Sequence, residues 1–187
     1  MPRVRGVRLR GQILRRASEL ASIDGLEQVS ISRLATEMGM SKSGLYAYFT
    51  SKQDLQLATI DCAWRIFVWH VAEPDDDGIE ALLERWVSYY EREVFPGGCP
   101  FVTVGMEFAN REGPVHDALA AAIERQVAIL EQALRRRDGA GDADPAQLAF
   151  ELHALLTAAN HRFRFSRDPA AFAHGRAALR RVLAETA

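Results

Sequence analysis

The sequence predicts an all-α chain of about nine helices. Three observations carry that expectation. Apolar residues recur at spacings of three and four along most of the 187 residues. The breaks between these runs hold Gly, Pro or a capping Ser or Asp, and no stretch alternates at period two for long enough to make a strand. With 48% hydrophobic and 26% charged residues, the chain can bury a sizeable core in one ordinary domain or two small ones.

Leu9, Ile13, Ala17, Leu20 and Ala21 share one face of an opening helix, which Gly25 stops. Ser30 stands as the N-cap of a short helix from Ile31 to about Met38, and Gly39 ends it in the left-handed conformation that glycine adopts without strain. Ser41 caps again, ahead of a helix from Lys42 to about Phe49. After Thr50-Ser51 a longer helix, Lys52 to about Glu73, carries Leu55, Thr59, Cys62, Ile66 and Trp69 on one stripe. The run from Glu73 through Pro74 and three aspartates to Gly78 reads as a linker. Ile79 to Val94 is the next helix, and Phe95 to Pro100 is a loop rich in Gly and Pro. A short helix from Val102 to Ala109 follows. Gly113-Pro114 opens a long helix to about Arg137, striped by Leu119, Ile123, Val127, Leu130 and Leu134, and Asp138 to Gly141 closes it. Two last helices, about Asp144 to Ser166 and Pro169 to Glu185, each begin at an Asp-Pro pair whose Asp caps and whose Pro suits the first turn.

The formal charge of -2 excludes a polycation that coats nucleic acid indiscriminately. Its distribution is uneven, because the first 52 residues hold nine basic and four acidic side chains and the other 135 hold 14 and 21. Arg3, Arg5, Arg8, Arg10, Arg15 and Arg16 occur without an acid among them, a density that suits phosphate contacts and an arm along or into a DNA groove. A solvated tail is the plain alternative. Cys62 and Cys99 are too few for a disulfide scaffold, and the arginines at the N-terminus are not followed by an apolar run, so the chain is expected to be cytoplasmic. No run approaches the roughly 18 to 20 apolar residues that span a bilayer.

The most informative window is Ile31 to Leu55, two short helices joined by a turn too brief for them to lie antiparallel. A steep crossing needs a small side chain at the contact, which Ala35 provides, and the turn needs a residue tolerant of positive φ, which Gly39 provides. Leu34, Met38, Leu45 and Phe49 then point inward together. Lys42, Ser43, Gly44, Ala47 and Tyr48 are left facing outward, slender enough for the helix to enter a major groove about 12 Å wide.

These residues give the sequence its likeness to a known family. A hydroxyl cap, Leu-Ala, Gly-x-Ser, Leu-Tyr, an aromatic followed by Phe, and Lys-x-x-Leu stand here as Ser30, Leu34-Ala35, Gly39-Met40-Ser41, Leu45-Tyr46, Tyr48-Phe49 and Lys52 with Leu55. In that pattern the chain resembles the tetracycline-repressor-like (TetR) transcriptional regulators, closely from about Leu9 to Leu57 and elsewhere only in helix number and length. Met40 replaces the usual Val, and Tyr48 the commoner His. The resemblance implies an N-terminal helix-turn-helix DNA-binding domain, residues 1–52, and a C-terminal helical domain for effector binding and dimerisation, residues 53–187. Ser30 and Ser41 are implied to cap helices facing phosphates, and Tyr46, Tyr48 and Lys52 to touch the DNA backbone. Lys42, Ser43, Gly44 and Ala47 are implied to face bases of a double-stranded operator, with Lys42 reaching guanine acceptors and Ala47 a thymine methyl.

Between Ala146 and Ala159 only Gln147, Glu151, His153 and Thr157 are polar, so this helix is expected to be buried on more than one face. Together with Phe172, Leu179, Val182 and Leu183 on the last helix, it suits a homodimer through the last two helices. Phe67, Trp86, Tyr90, Phe101, Met106 and Phe108 are candidate walls for a small apolar or aromatic effector, with His153 and Thr157 as polar anchors. Filling the core between helices is the plain alternative for each.

An enzyme is not expected, since neither a Gly-x-Ser-x-Gly elbow, a Walker loop, a GxGxxG turn nor a His-Glu-x-x-His pair occurs. No cofactor is implied. His153 and His161, two turns apart, would hold a metal only with further ligands, so no metal site is assigned. The rival reading is an architectural DNA-binding protein without effector control.

Overall fold

The computed structural model describes residues 2–73, 78–137 and 143–185. Among them are nine α-helices and no strand: α1 Pro2–Asp24, α2 Ile31–Glu37, α3 Lys42–Tyr46, α4 Lys52–Phe67, α5 Gly78–Glu91, α6 Pro100–Phe108, α7 Pro114–Arg135, α8 Pro145–Ser166 and α9 Ala170–Ala184. Positions 74–77 of the expected linker, and the Asp138 to Gly141 closure of α7, lie outside the described residues.

Four elements differ from the sequence reading. The opening helix starts at Pro2, which suits a first turn, so Arg8 and Arg10 are exposed residues of a helix and not of an extended arm. The second helix of the motif stops at Tyr46 because the next helix is capped early: Ser51 Oγ accepts from Asp54 N at 3.0 Å, while the Asp54 carboxylate accepts from Thr50 N at 2.8 Å. α4 gives way to a π-helical turn, Val68–Ala72. Its buried residues, Leu55, Thr59, Ala63, Phe67 and Val71, recur every fourth position, and Trp69, expected on the stripe, is 71% exposed. A strict four-residue repeat is longer than the 3.6 of an α-helix, and the wider π turn keeps Val71 on the side of Phe67. On α7 the buried line is Val115, Leu119, Ala122, Gln126, Leu130 and Ala133, with Ile123 and Val127 only half-buried.

Two compact units result, one of residues 1–66 with 95–121, the other of 67–94 with 122–187, a different division from the 1–52 and 53–187 expected. In the first unit α6 packs on α1. Gly97 N donates to Ser22 Oγ at 3.0 Å, and a Cβ on Gly97 would fall 1.8 Å from the Ser22 carbonyl oxygen. Glu107 on α6 accepts from the Leu26 and Glu27 amides at 2.7 and 3.0 Å. These satisfy backbone donors in the turn that Gly25 begins at φ 87°. The interior bounded by Ser18, Thr59, Phe101 and Leu119 leaves only about 10 Å³ of free space.

In the second unit α8 and α9 form the main pair. They approach closely enough that a Cβ on Gly175 would stand 2.9 Å from that of Ala159. Arg176 on α9 bridges Glu84 and Glu91 of α5, at 2.7 Å to each. Arg164 and Arg167 close on Glu93 at 3.1 and 3.3 Å, and Glu93 holds a left-handed φ of 45°.

Gly97→Ala places a methyl group on a main-chain carbonyl that cannot rotate away. It should destabilise the protein by about 1–3 kcal/mol or more. Gly11, in mid-helix with nothing within 4 Å of its missing Cβ, is the control. Gly11→Ala should stabilise by about 0.5–1 kcal/mol. Urea denaturation of both variants checks the contrast.

Candidate functional site

The two short helices of the first unit are set by their caps. Ser30 is extended and its Oγ accepts from Arg33 N at 3.2 Å; Ser41 Oγ accepts from Gly44 N at 3.1 Å. Between them Gly39 takes φ 62°, and Met40 N returns to the Ala35 carbonyl at 2.9 Å. Leu34, Ala35, Leu45 and Phe49 are buried, while Met38 is only half-buried. On the opposite side Ser41, Lys42, Ser43, Tyr46 and Ala47 are exposed, with Gly44, Tyr48 and Ser30 half-buried. Tyr46 stands out most among the apolar side chains of this surface, 59% exposed. A narrow outer ridge of small and hydrogen-bonding side chains therefore rests on a fully apolar base.

Arginines frame this ridge, but not all of them face solvent freely. Arg15 pairs with Glu19 at 2.9 Å, and Arg16 reaches Glu19 and Glu37 at 3.2 and 2.6 Å. Arg33 pairs with Asp24. The Arg10 guanidinium lies 5.4 Å from the centre of the Phe49 ring. Lys52 is half-exposed, with Nζ 3.0 Å from Glu27 Oε2. Glu27 also accepts from Gln56 at 3.0 Å and pairs with Arg111 at 3.3 Å. The hydrogen bonds from Lys52 and Gln56, with the charges of Lys52 and Arg111, hold the Glu27 carboxyl below its usual range.

The eight residues expected around an effector are divided. Phe67, Trp86, Tyr90, His153 and Thr157 belong to the second unit, whereas Phe101, Met106 and Phe108 belong to the first. In the second unit Phe67 meets Trp86 edge-on at 4.8 Å, Trp86 Nε1 donates to Tyr90 Oη at 2.7 Å, and the Trp86 and His153 rings are 6.0 Å apart. Burial pushes the His153 pKa down. In the first unit Phe101 packs edge-on against Trp64 at 6.1 Å and Phe108 is buried under Arg111, but Met106 is 76% exposed and lines no interior space.

Gln126 escaped the sequence reading. It is 2% exposed, and neither its Nε2 nor Thr157 Oγ1 has a hydrogen-bond partner among the described residues. The available signal was a single amide in the otherwise apolar line of α7. A cleft of about 680 Å³ elsewhere in the unit is lined by Val68, Ile79, Arg85, Ile129 and Arg137, and by none of the expected effector residues. Among the described residues no helix is long and apolar enough to cross a membrane.

Residues 13–59 match the family of bacterial regulatory proteins named for tetR, and residues 77–179 match the tetracyclin repressor-like C-terminal domain. No curated protein matches the chain. Among solved structures, a TetR transcriptional regulator from Chloroflexus aurantiacus is 23% identical with a TM-score of 0.81, over 94% of this chain and 93% of its own. A TetR-family regulator from Streptomyces coelicolor is also 23% identical with a TM-score of 0.81, over 96% and 95%. AibR, solved with isovaleryl coenzyme A and operator DNA, is 22% identical with a TM-score of 0.65, over 81% of this chain and 86% of its own. With its capped reading helices at the N-terminus and the C-terminal model matched over more than half its length, the chain belongs to the TetR family of transcriptional regulators.

Proposed function

We propose that this regulator is a homodimeric repressor that reads a palindromic operator with residues 30–52 and leaves it when a small apolar or aromatic effector enters the second unit. The observation that carries the reading is the exposed ridge Ser41 to Ala47 on a buried base of Leu34, Leu45 and Phe49. Lys42, Ser43, Gly44 and Ala47 are the base-facing set; Ser30, Ser41, Tyr46, Tyr48 and Lys52 serve the phosphates. AibR, with both an acyl coenzyme A and operator DNA bound, supports pairing the two functions on this fold. Dimerisation is supported by the outer face of α8, where Phe150 is 65% and Phe165 80% exposed beside the exposed Ala154 and Ala158. Leu179 is buried within its own subunit and so belongs to the core of α9. An architectural role would need the dimer and the reading ridge but gives no reason for unpaired polar atoms buried in the second unit.

The effector is tested by gel shift and melting on the DNA flanking the gene. Apolar and aromatic compounds that raise Tm should release that DNA. Operator binding indifferent to every compound that raises Tm would leave the architectural role in place.

On the DNA side, Lys42→Ala should change which sequence is preferred, at about 1–3 kcal/mol for the base concerned. Tyr46→Ala should weaken binding to all sequences, and Lys52→Ala should also lower the salt slope by about 1. Glu27→Gln removes the carboxylate that competes with phosphate for Lys52 and should raise affinity for any duplex at low salt. The same variant reports on acid stability. A carboxylate held low by its partners stabilises fully above the unfolded pKa of about 4.3 and loses that contribution as pH falls through the folded value. The parent should therefore lose more stability than Glu27→Gln below that pH, as read by urea titrations.

Phe150→Glu puts a charge on the outer face of α8 without entering a core. It should yield folded monomers by sedimentation, with much reduced operator affinity.

A further inference from the structure

We propose that the effector site of the second unit takes an uncharged ligand carrying a hydrogen-bond acceptor, such as a ketone, ester or amide carbonyl, which Gln126 and Thr157 hold while Phe67 and Trp86 cover its apolar body. This rests on the effector reading above and narrows it to a chemical class.

Donors come first. Gln126 sits on the buried line of α7 between Ala122 and Leu130, and its Nε2 has no partner among the described residues. Thr157 Oγ1, on α8, is buried with none either. An amide nitrogen only donates and a hydroxyl can donate, so the complement of the two is an acceptor. Leaving such groups unpaired in an interior lowers stability, and a Leu and a Val of similar size would not incur that cost. Polar groups retained at such a cost mark a site where stability has been traded for binding.

The two helices meet at this level. Glu124 of α7 acts electrostatically on the His153 ring of α8. Thr157 follows His153 by one turn on the same helix face, and His153 in turn packs on Trp86. Gln126 lies two residues along α7 from Glu124.

Charge decides the class. Among the described residues no charged side chain is buried. His153, whose pKa burial lowers, is uncharged at neutral pH, and the nearby charge that acts on it is the negative one of Glu124. A carboxylate or phosphate brought here would be a buried anion with no cation to meet it. Phe67 and Trp86 are both 0% exposed, so the site is closed in the ligand-free chain and opens only when these rings move. That movement gives binding a conformational consequence.

Three probes of near-equal size separate the possibilities: 2-acetylnaphthalene, 2-naphthoate and 2-ethylnaphthalene, titrated at pH 7 into the full-length protein, its Gln126→Leu variant and its Thr157→Val variant. Both variants, free of ligand, should melt at or above the Tm of the parent. The ketone should bind the parent about tenfold or more tightly than either analogue, and that advantage should disappear in Gln126→Leu. The class is overturned if the carboxylate binds as well as the ketone, if none of the three binds, or if both variants melt below the parent, which would make Gln126 and Thr157 structural. Release of operator by the carboxylate or the hydrocarbon alone overturns the acceptor assignment and leaves effector control standing. A ketone that binds through Gln126 yet never loosens operator binding supports the ligand class and removes effector control.

Discussion

The orientation of the reading ridge depends on how residues 95–108 are fastened to α1. Gly97 is in contact with the Ser22 carbonyl at a distance no side chain permits, and Glu107 takes the two amides that follow the end of α1. Without that carboxylate, Leu26 N and Glu27 N would be left to water in a turn that must also set the start of α2. α1 therefore ends, and α2 begins, against a side chain 80 residues away in sequence. The reading helices consequently belong to a unit that includes α6, even though every side chain proposed to touch DNA lies within the first 52 residues. Glu27 extends the same junction outward, joining Lys52 at the start of α4 to Arg111 beyond α6.

The second unit is held differently. Its helices are drawn together by glycine contact at Gly175 and by an arginine shared between two carboxylates, Arg176 with Glu84 and Glu91. Arg176 is mostly covered, so its paired geometry matters more than a lone surface ion pair would. Against this firm packing, the unpaired atoms of Gln126 and Thr157 stand out as places where the interior is not optimised for stability.

The motif was legible because its signals are local. Ser30, Gly39 and Ser41 each act within three or four residues of themselves, and the structure places the two caps and the left-handed turn at those positions. Helix number was legible for the same reason. The direction in which a long helix faces was not. On α4 the sequence stripe ran to Trp69, but the core selects Phe67 and Val71, because a four-residue repeat followed by a π turn moves the buried line around the helix. Met106 looked like a wall residue by type alone, yet α6 turns it to solvent and uses Phe101, Val104 and Phe108 inward. Glu107, one of many glutamates, carries no local mark of its backbone partners, and the compact units cross a boundary that charge had suggested at Lys52.

An effector can act only by preferring one conformer of the reading head over another. Three stretches of backbone pass from one unit to the other: the end of α4 near Phe67, the turn after Glu93, and α7 near Ala122. Two of these are helical, and a helix under a small displacement moves as a body. The third is held at both ends, by Arg164 and Arg167 on the left-handed Glu93 and by Ser22 on Gly97. A strained residue of this kind persists only while its surroundings over-determine it. On the proposed reading, a ligand that parts Phe67 from Trp86 acts at the root of α4, whose other end carries Lys52. The displacement need not be large, because the contact at Gly97 has no slack with which to absorb it.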